Sequence, residues 1–282
     1  MSRNIVIGAI TGYAFEKVRP WIVSAKRACP TAEIMLFCWA IDERTIETIE
    51  KYGVRCLRVQ PPPATGQNIV VERFGWLSQF VENEGLTDSD WIVTTDVADV
   101  VFQYDPFSML HTAIGQCDIL ASSEGISYKD EPWGSQNIRL SYSETSFNML
   151  ADQRTLNAGV IAGRAKAVGR LAWLVYIMSH ATKYGHHIPG GGGPDQAAYN
   201  LLIRNAVGSR ARILGHEMPW AAQLGTTGPQ VDPSWSVHVC EPKPMIDNGV
   251  VKTHCGGIYA IVHQYNRVPE WKNIIEELYS GS

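Results

Sequence analysis

The sequence predicts an α/β protein with a mostly parallel central sheet flanked by helices and a Rossmann-like first half. Three observations carry this. The stretch up to Val59 alternates strand and helix, the pattern that right-handed βαβ units leave in a chain. The segment Trp91–Phe107, WIVTTDVADVVFQYDPF, sets the short apolar run of a buried parallel strand before two carboxylates, Asp96 and Asp99. A chain of 282 residues, 45% hydrophobic and 18% charged, can bury a sizeable core.

Each element has its own signal. Asn4–Ala9 is an apolar strand. Phe15–Ala28 has helical spacing, with Pro20 tolerable near the first turn and Cys29-Pro30 closing it. Glu33–Trp39 is the second strand. Asp42 is a good N-cap for Glu43–Tyr52, Gly53 ends that helix, and Val54–Val59 follows as a third strand. Gln60–Gln67 (QPPPATGQ) is a loop, because consecutive prolines continue neither helix nor central strand. Asn68–Gly85 is a helix carrying Arg73, Trp76 and Phe80, and it delivers the chain to the Trp91 strand. Beyond that, Gln116–Ser122 reads as a strand and the polar Glu124–Asn148 as loop. Leu156–Gly163 (LNAGVIAG) is a strand whose small residues admit a close backbone or ligand. Ala165–Tyr184 has helical spacing, and Pro189–Pro194 (PGGGGP) is a mobile or tightly turned loop that could close over a site. Asp195 is a good N-cap for Gln196–Asn205. Val237–Val239 and Tyr259–His263 read as short strands and Trp271–Tyr279 as a closing helix. No repeat or linker interrupts the chain. The expectation is one domain over 1–282, with a half-domain of nucleotide-binding type to about residue 110 and a less regular half over about 111–282.

Several classes are excluded. With net charge -4 and no basic run, nucleic acid is not an expected partner. No stretch is long and apolar enough to span a membrane, and MSRNIVIGAI does not read as a signal peptide. A complete chain of this kind would be cytoplasmic. The cysteines at 29, 38, 56, 117, 240 and 255 show no C-x-x-C pair and no zinc-like spacing, so reduced thiols are expected. There is no P-loop, and the turn Gly8-Ala9-Ile10-Thr11-Gly12 is not the dinucleotide fingerprint.

The chemistry centres on Asp96 and Asp99. Ligands of open α/β sheets sit at the carboxyl ends of strands, and carboxylates buried there need a partner or a cation. Asp96 could instead cap a turn while Asp99 faces water. A metal would supply the phosphate-neutralising charge that a missing P-loop does not. A third ligand is needed, and His254 in THCGG and His263 in YAIVHQYNR are the candidates; His263 has the clearer strand context. A mixed oxygen/nitrogen site of this kind suits Mn²⁺ or Mg²⁺.

The series TDVADVVFQYDPF, NAGVIAG, GGPDQAAYN and VHQYNR, in that order, resembles the GT-A-fold glycosyltransferases, which use nucleotide-diphospho-sugars. The resemblance runs from the Asn4 strand to about Arg267. It implies a metal-bound sugar nucleotide in the carboxyl-edge crevice and a carbohydrate or lipid-linked acceptor, as in polysaccharide biosynthesis. Asp96 and Asp99 would stand for the D-x-D motif, with a C-terminal histidine as last ligand. Ala9, Thr11 and Tyr13 occupy the place that cradles base and ribose, with the Tyr13 ring a stacking surface. Arg73 matches a position that holds diphosphate or base. Asn157, Asp195 and Gln196 match positions facing the transferred sugar and the acceptor. One departure stands out: D-x-D puts both carboxylates on one face of a strand, whereas Asp96 and Asp99 are three apart. They converge only if the backbone turns at Val97-Ala98; otherwise Asp99 alone binds metal and Asp96 binds ribose or supports from behind.

The mechanism follows from the leaving group. A divalent ion with Arg73 or Arg267 would stabilise the departing diphosphate. Inversion needs a base for the acceptor hydroxyl, for which Asp195 is the candidate, while retention lets the leaving phosphate take the proton. Trp133, Trp220 and Trp235 lie in loop-like surroundings where they could stack on a sugar ring; Trp39, Trp91 and Trp173 read as core. Two other functions are compatible with the sequence. A sugar-phosphate nucleotidyltransferase shares the half-domain but uses a basic Gly-rich loop that is missing here. A non-catalytic carbohydrate-binding protein would tolerate the irregular Asp96/Asp99 spacing. Without a membrane anchor, transfer is expected in the cytosol, with peripheral association at the inner membrane surface open to it.

Overall fold

The chain opens as the alternation predicts in the computed structural model, which describes residues 2–61, 68–183, 188, 193–226 and 242–280. Strand β1 (Asn4–Thr11), helix α1 (Phe15–Ala28), β2 (Glu33–Trp39), α2 (Glu43–Lys51), β3 (Arg55–Arg58), α3 (Ile69–Asn83) and β4 (Trp91–Thr95) follow in order. Asp42 caps α2 by accepting from Thr45 N, and Asn68 caps α3 by accepting from Val70 N. Pro20 lies a turn deeper in α1 than expected, and it is buried.

After the turn that follows β4 come β5 (Val100–Phe102), α4 (Pro106–Ala113), β6 (Ile119–Ser127), α5 (Pro132–Ser141), α6 (Glu144–Leu150), β7 (Arg154–Arg164) and α7 (Ala165–His180). The polar stretch expected as loop is thus the end of β6 and two helices. Two of its polar residues are caps: Glu131 accepts from the backbone N–H of Trp133 and Gly134, with Pro132 at the first helical position, and Ser143 accepts from Ser146 N. Between the caps, Ile138, Phe147 and Leu150 bury against Tyr128 and Ala197.

The C-terminal part holds α8 (Asp195–Leu201), which continues into a π turn, then β8 (Ala211–Leu214), β9 (Ala221–Gln223), β10 (Met245–Asp247), β11 (Val250–Lys252), β12 (Ile261–His263) and α9 (Pro269–Tyr279). Asp195 is not the cap of α8: it is the first helical residue, and its carboxylate turns to an arginine instead. The expected Val237–Val239 strand, most of the PGGGGP loop and most of QPPPATGQ lie outside the described residues, as do Trp235 and Cys240.

The central sheet has seven strands in the order β3-β2-β1-β4-β7-β6-β8, parallel except where β7 runs against β4 and β6. A smaller sheet, β5-β12-β9, pairs β12 antiparallel to β5 and parallel to β9. Alternate residues of β1 feed opposite cores. Val6 and Ile10 pack with Trp21, Ile22 and Leu110 on one face, and Ile5 and Ile7 pack with Phe74, Leu77, Leu171 and Val175 on the other. Both faces are covered, so these strands read as continuous apolar runs. Each such side chain removed from water contributes ~1.5–3 kcal/mol. Helix α1 also pins the strand ends: Trp21 Nε1 donates to Thr95 Oγ1 at 2.8 Å, and Phe102 N donates to Ser24 Oγ at 3.1 Å. Trp220 is fully buried and not a surface for a sugar ring, whereas Trp173 on α7, read as core, is 44% exposed.

Candidate active site

Strand β4 ends at Thr95, and Asp96 to Asp99 form a turn before β5. Backbone bonds fix the turn at both ends: Asp96 N donates to Gly159 O and Gln264 N donates to Asp99 O, each at 2.8 Å. This bend at Val97-Ala98 overcomes the three-residue spacing. Pairing of β5 with β12 sets His263 opposite Val100, and so beside Asp99. The result is a cluster of Asp96, Asp99 and His263 in which one ligand atom of each lies within 4.8 Å of the others. His263 Nε2 stands 3.4 Å from Asp96 Oδ2 and 3.5 Å from Asp99 Oδ1. Gly159, on the neighbouring strand, makes room: a Cβ there would fall 2.8 Å from both Asp96 Oδ2 and Asn157 Oδ1.

The imidazole is buried and the carboxylates are partly open, Asp96 at 35% and Asp99 at 17% side-chain exposure. Burial pushes the Asp99 carboxyl up, but the facing His263, with Arg267 and Lys17 nearby, holds it below its ordinary value. Two carboxylate oxygens and an imidazole nitrogen facing one another form a donor set that suits a hard divalent cation. His254, the alternative third ligand, is outside this cluster; it is exposed, with Nε2 3.0 Å from Cys255 Sγ.

Arg73 projects from α3 into the site. Its guanidinium bonds Asp96 Oδ1 through one nitrogen, and Asp195 Oδ2 and Ala158 O through the other at 3.3 and 3.2 Å. Both Arg73 and Asp195 are 11% exposed. Burial pushes the Asp195 carboxyl up, and Arg73 offsets part of that rise. Behind them, Gln196 Nε2 and Asn157 Nδ2 donate to the same oxygen of Glu124, at 3.3 and 2.7 Å. Glu124 is 6% exposed, and burial pushes its carboxyl up against the donors that stabilise its charge.

Of the remaining expected residues, Ala9 and Thr11 lie half-buried at the carboxyl end of β1. Tyr13 follows them, and its phenol is pushed up by burial and by the charge of Asp99. Arg267 is exposed in the turn after β12 and acts on Asp99 through its charge. Sequence reasoning missed Glu124 and Gln223. Glu124 had a signal, since like Asp96 it closes an apolar run. Gln223 had none: its importance comes from strand pairing, which sets it beside His263 with Oε1 2.7 Å from Nδ1.

No protein-family model matches this chain, and no curated protein does. Solved structures share its fold. The apo bifunctional glycosyltransferase WbbM superposes with a TM-score of 0.62 at 13% identity, over 99% of this chain and 51% of that one, so this chain spans about half its length. The galactosyltransferase LgtC, in complex with donor and acceptor sugar analogs, superposes with a TM-score of 0.56 at 14% identity, over 97% of this chain and 95% of that one. An active-site mutant of LgtC gives 0.52 at 15% identity, over 92% and 86%. The fold is therefore the α/β architecture of these glycosyltransferases.

Proposed function

We propose that the chain is a metal-dependent glycosyltransferase that moves a hexose-type sugar from a nucleotide-diphospho-sugar to a carbohydrate or lipid-linked acceptor. The observation that carries this reading is the convergence of Asp96, Asp99 and His263 at the carboxyl edge of the sheet. The fold shared with glycosyltransferases supports it. Mn²⁺ or Mg²⁺ held by these three residues would offset the charge of a departing diphosphate.

The protein's own groups divide the remaining work. Arg267 and Lys17 bring positive charge to the Asp99 side, where the diphosphate would lie. Ala9, Thr11 and Tyr13 edge the crevice as the surface for base and ribose. Arg73 spends its guanidinium on Asp96 and Asp195, which makes it a holder of the site rather than a free phosphate clamp. Asp195, Gln196, Asn157 and Glu124 form the polar wall for the transferred sugar and the acceptor. The raised carboxyl of Asp195 is the base for the acceptor hydroxyl if transfer inverts. We read the chain as one domain with a nucleotide half and an acceptor half. No described helix is long and apolar enough to cross a membrane, and we assign the activity to the cytoplasm, with peripheral contact to membrane-borne acceptors.

A thermal-shift panel of nucleoside-diphosphate sugars with and without Mn²⁺, followed by turnover with the stabilising donor, tests the proposal. A ligand that binds only the native state raises apparent stability by mass action. One donor should stand out in the presence of metal and release nucleoside diphosphate. Pyrophosphate release from a nucleoside triphosphate would instead make the protein a nucleotidyltransferase, and glycan binding indifferent to EDTA without turnover would make it a binding protein.

A further inference from the structure

We propose that Gln223 is a positioning residue that keeps a proton on His263 Nδ1, so that Nε2, which faces Asp96 and Asp99, is the nitrogen left to bind a cation. The inference rests on the metal-site reading above and names the residue on which the third ligand depends.

The Gln223–His263 pair sits in a buried hydrogen-bond network. Gln223 on β9 and His263 on β12 are partners in adjacent parallel strands, so their side chains stand side by side. Gln223 is fully buried and His263 is 2% exposed. The Gln223 backbone is held by its N–H, which donates to His216 Nε2 at 2.9 Å. Its side-chain Nε2 donates to Ser122 Oγ at 2.7 Å, and its Oε1 lies 2.7 Å from His263 Nδ1. A carboxamide oxygen only accepts, so Nδ1 must carry the hydrogen. Nε2 is then the nitrogen left to coordinate, and it is the one that faces both carboxylates. With the carboxamide turned over, its NH₂ would meet Nδ1, drive the proton to Nε2 and aim an N–H into the space between Asp96 and Asp99. Groups that orient a ligating imidazole in this way typically change metal affinity by ~10–100-fold when removed.

Two measurements test this. Selective ¹⁵N labelling of histidine in the metal-free protein reads the tautomer, and His263 should be protonated at Nδ1. A bare Nδ1 there overturns the proposal. Mn²⁺ titration followed by electron paramagnetic resonance compares wild type with Gln223→Leu, Gln223→Glu and His263→Ala. Gln223→Leu should weaken binding by ~10–100-fold, while Gln223→Glu, which keeps an acceptor at the same place, should stay close to wild type. Wild-type affinity in Gln223→Leu, with His263→Ala weakened, would overturn the role of Gln223 and leave the metal site standing. Unchanged affinity in His263→Ala would remove the metal ligand itself and the inference with it. Should the leucine variant fail to fold, the wild-type tautomer and the glutamate variant decide.

Discussion

Gly159 passes so close to His263 that a Cβ on the glycine would lie 2.4 Å from the imidazole Cε1. That contact lies well inside van der Waals distance, and the same carbon would press on Asp96 and Asn157. The strand from which Gly159 comes is therefore part of the site, although it offers the site no side chain at this position.

Gly159→Ala should leave the fold in place and spread the three ligands. The expected outcome is Mn²⁺ binding weakened by ~10–100-fold with a circular dichroism spectrum like wild type. Titration of Mn²⁺ by electron paramagnetic resonance checks it, and affinity equal to wild type would show that the imidazole yields freely.

Asp99→Asn and Asp96→Asn should each lower metal-dependent release of nucleoside diphosphate by ~100-fold or more. Addition of EDTA to the wild type should do the same, with recovery on Mn²⁺ addition. Steady-state assay of nucleoside diphosphate checks both, and an Asp99→Asn enzyme with full activity would place the chemistry elsewhere.

Removing Arg73 should be costly to the fold as well as to the site. Arg73→Met leaves the buried Asp195 without its guanidinium, and loss of one partner of a buried ion pair costs ~3–5 kcal/mol. Urea denaturation at pH 7 should show a loss of that order, shrinking as acid protonates the carboxyls. An Asp195→Asn change in the same background should restore part of it.

Glu131 gives the pH dependence a handle. Burial, aided by the charge of Glu124, pushes its carboxyl from 4.5 up to about 7, against the backbone N–H donors of α5. With the folded value raised, the folded state holds the proton more tightly. Its contribution to stability is complete below about pH 4.5 and is lost as pH rises through about 7. Glu131→Gln mimics the protonated form. Its stability should match wild type in acid and exceed it increasingly towards pH 8, by up to ~3 kcal/mol. Thermal denaturation across that range checks the crossing, and a constant gap would deny the coupling.

Much of the site was legible because its residues close apolar runs. Asp96 follows Trp91–Thr95 and His263 ends its own strand, so the carboxyl-edge rule finds both without coordinates. The strand-helix order through β4 was legible for the same reason: each strand is covered on two faces, and each helix carries a cap or a periodic stripe. The stretch around α5 and α6 was not, because its serines and asparagines dilute the apolar periodicity while some of its polar residues serve as caps. Asp195 looked like a cap because it follows glycines and a proline; only the arrival of Arg73 from another helix shows where its charge is spent. Gln223 was invisible, since nothing in Trp220-Ala221-Ala222-Gln223 hints at the histidine set beside it by strand pairing.

The pairing of β12 with β5 joins a late segment of the polypeptide to an early one. Synthesis proceeds from the amino terminus at ~5–20 residues per second, and early segments begin to fold as they emerge. The half that carries Asp96 and Asp99 can therefore take shape on the ribosome while the imidazole is still to be made. On this plan Asp96, Asp99 and His263 cannot come together in a nascent chain before His263 has left the exit tunnel.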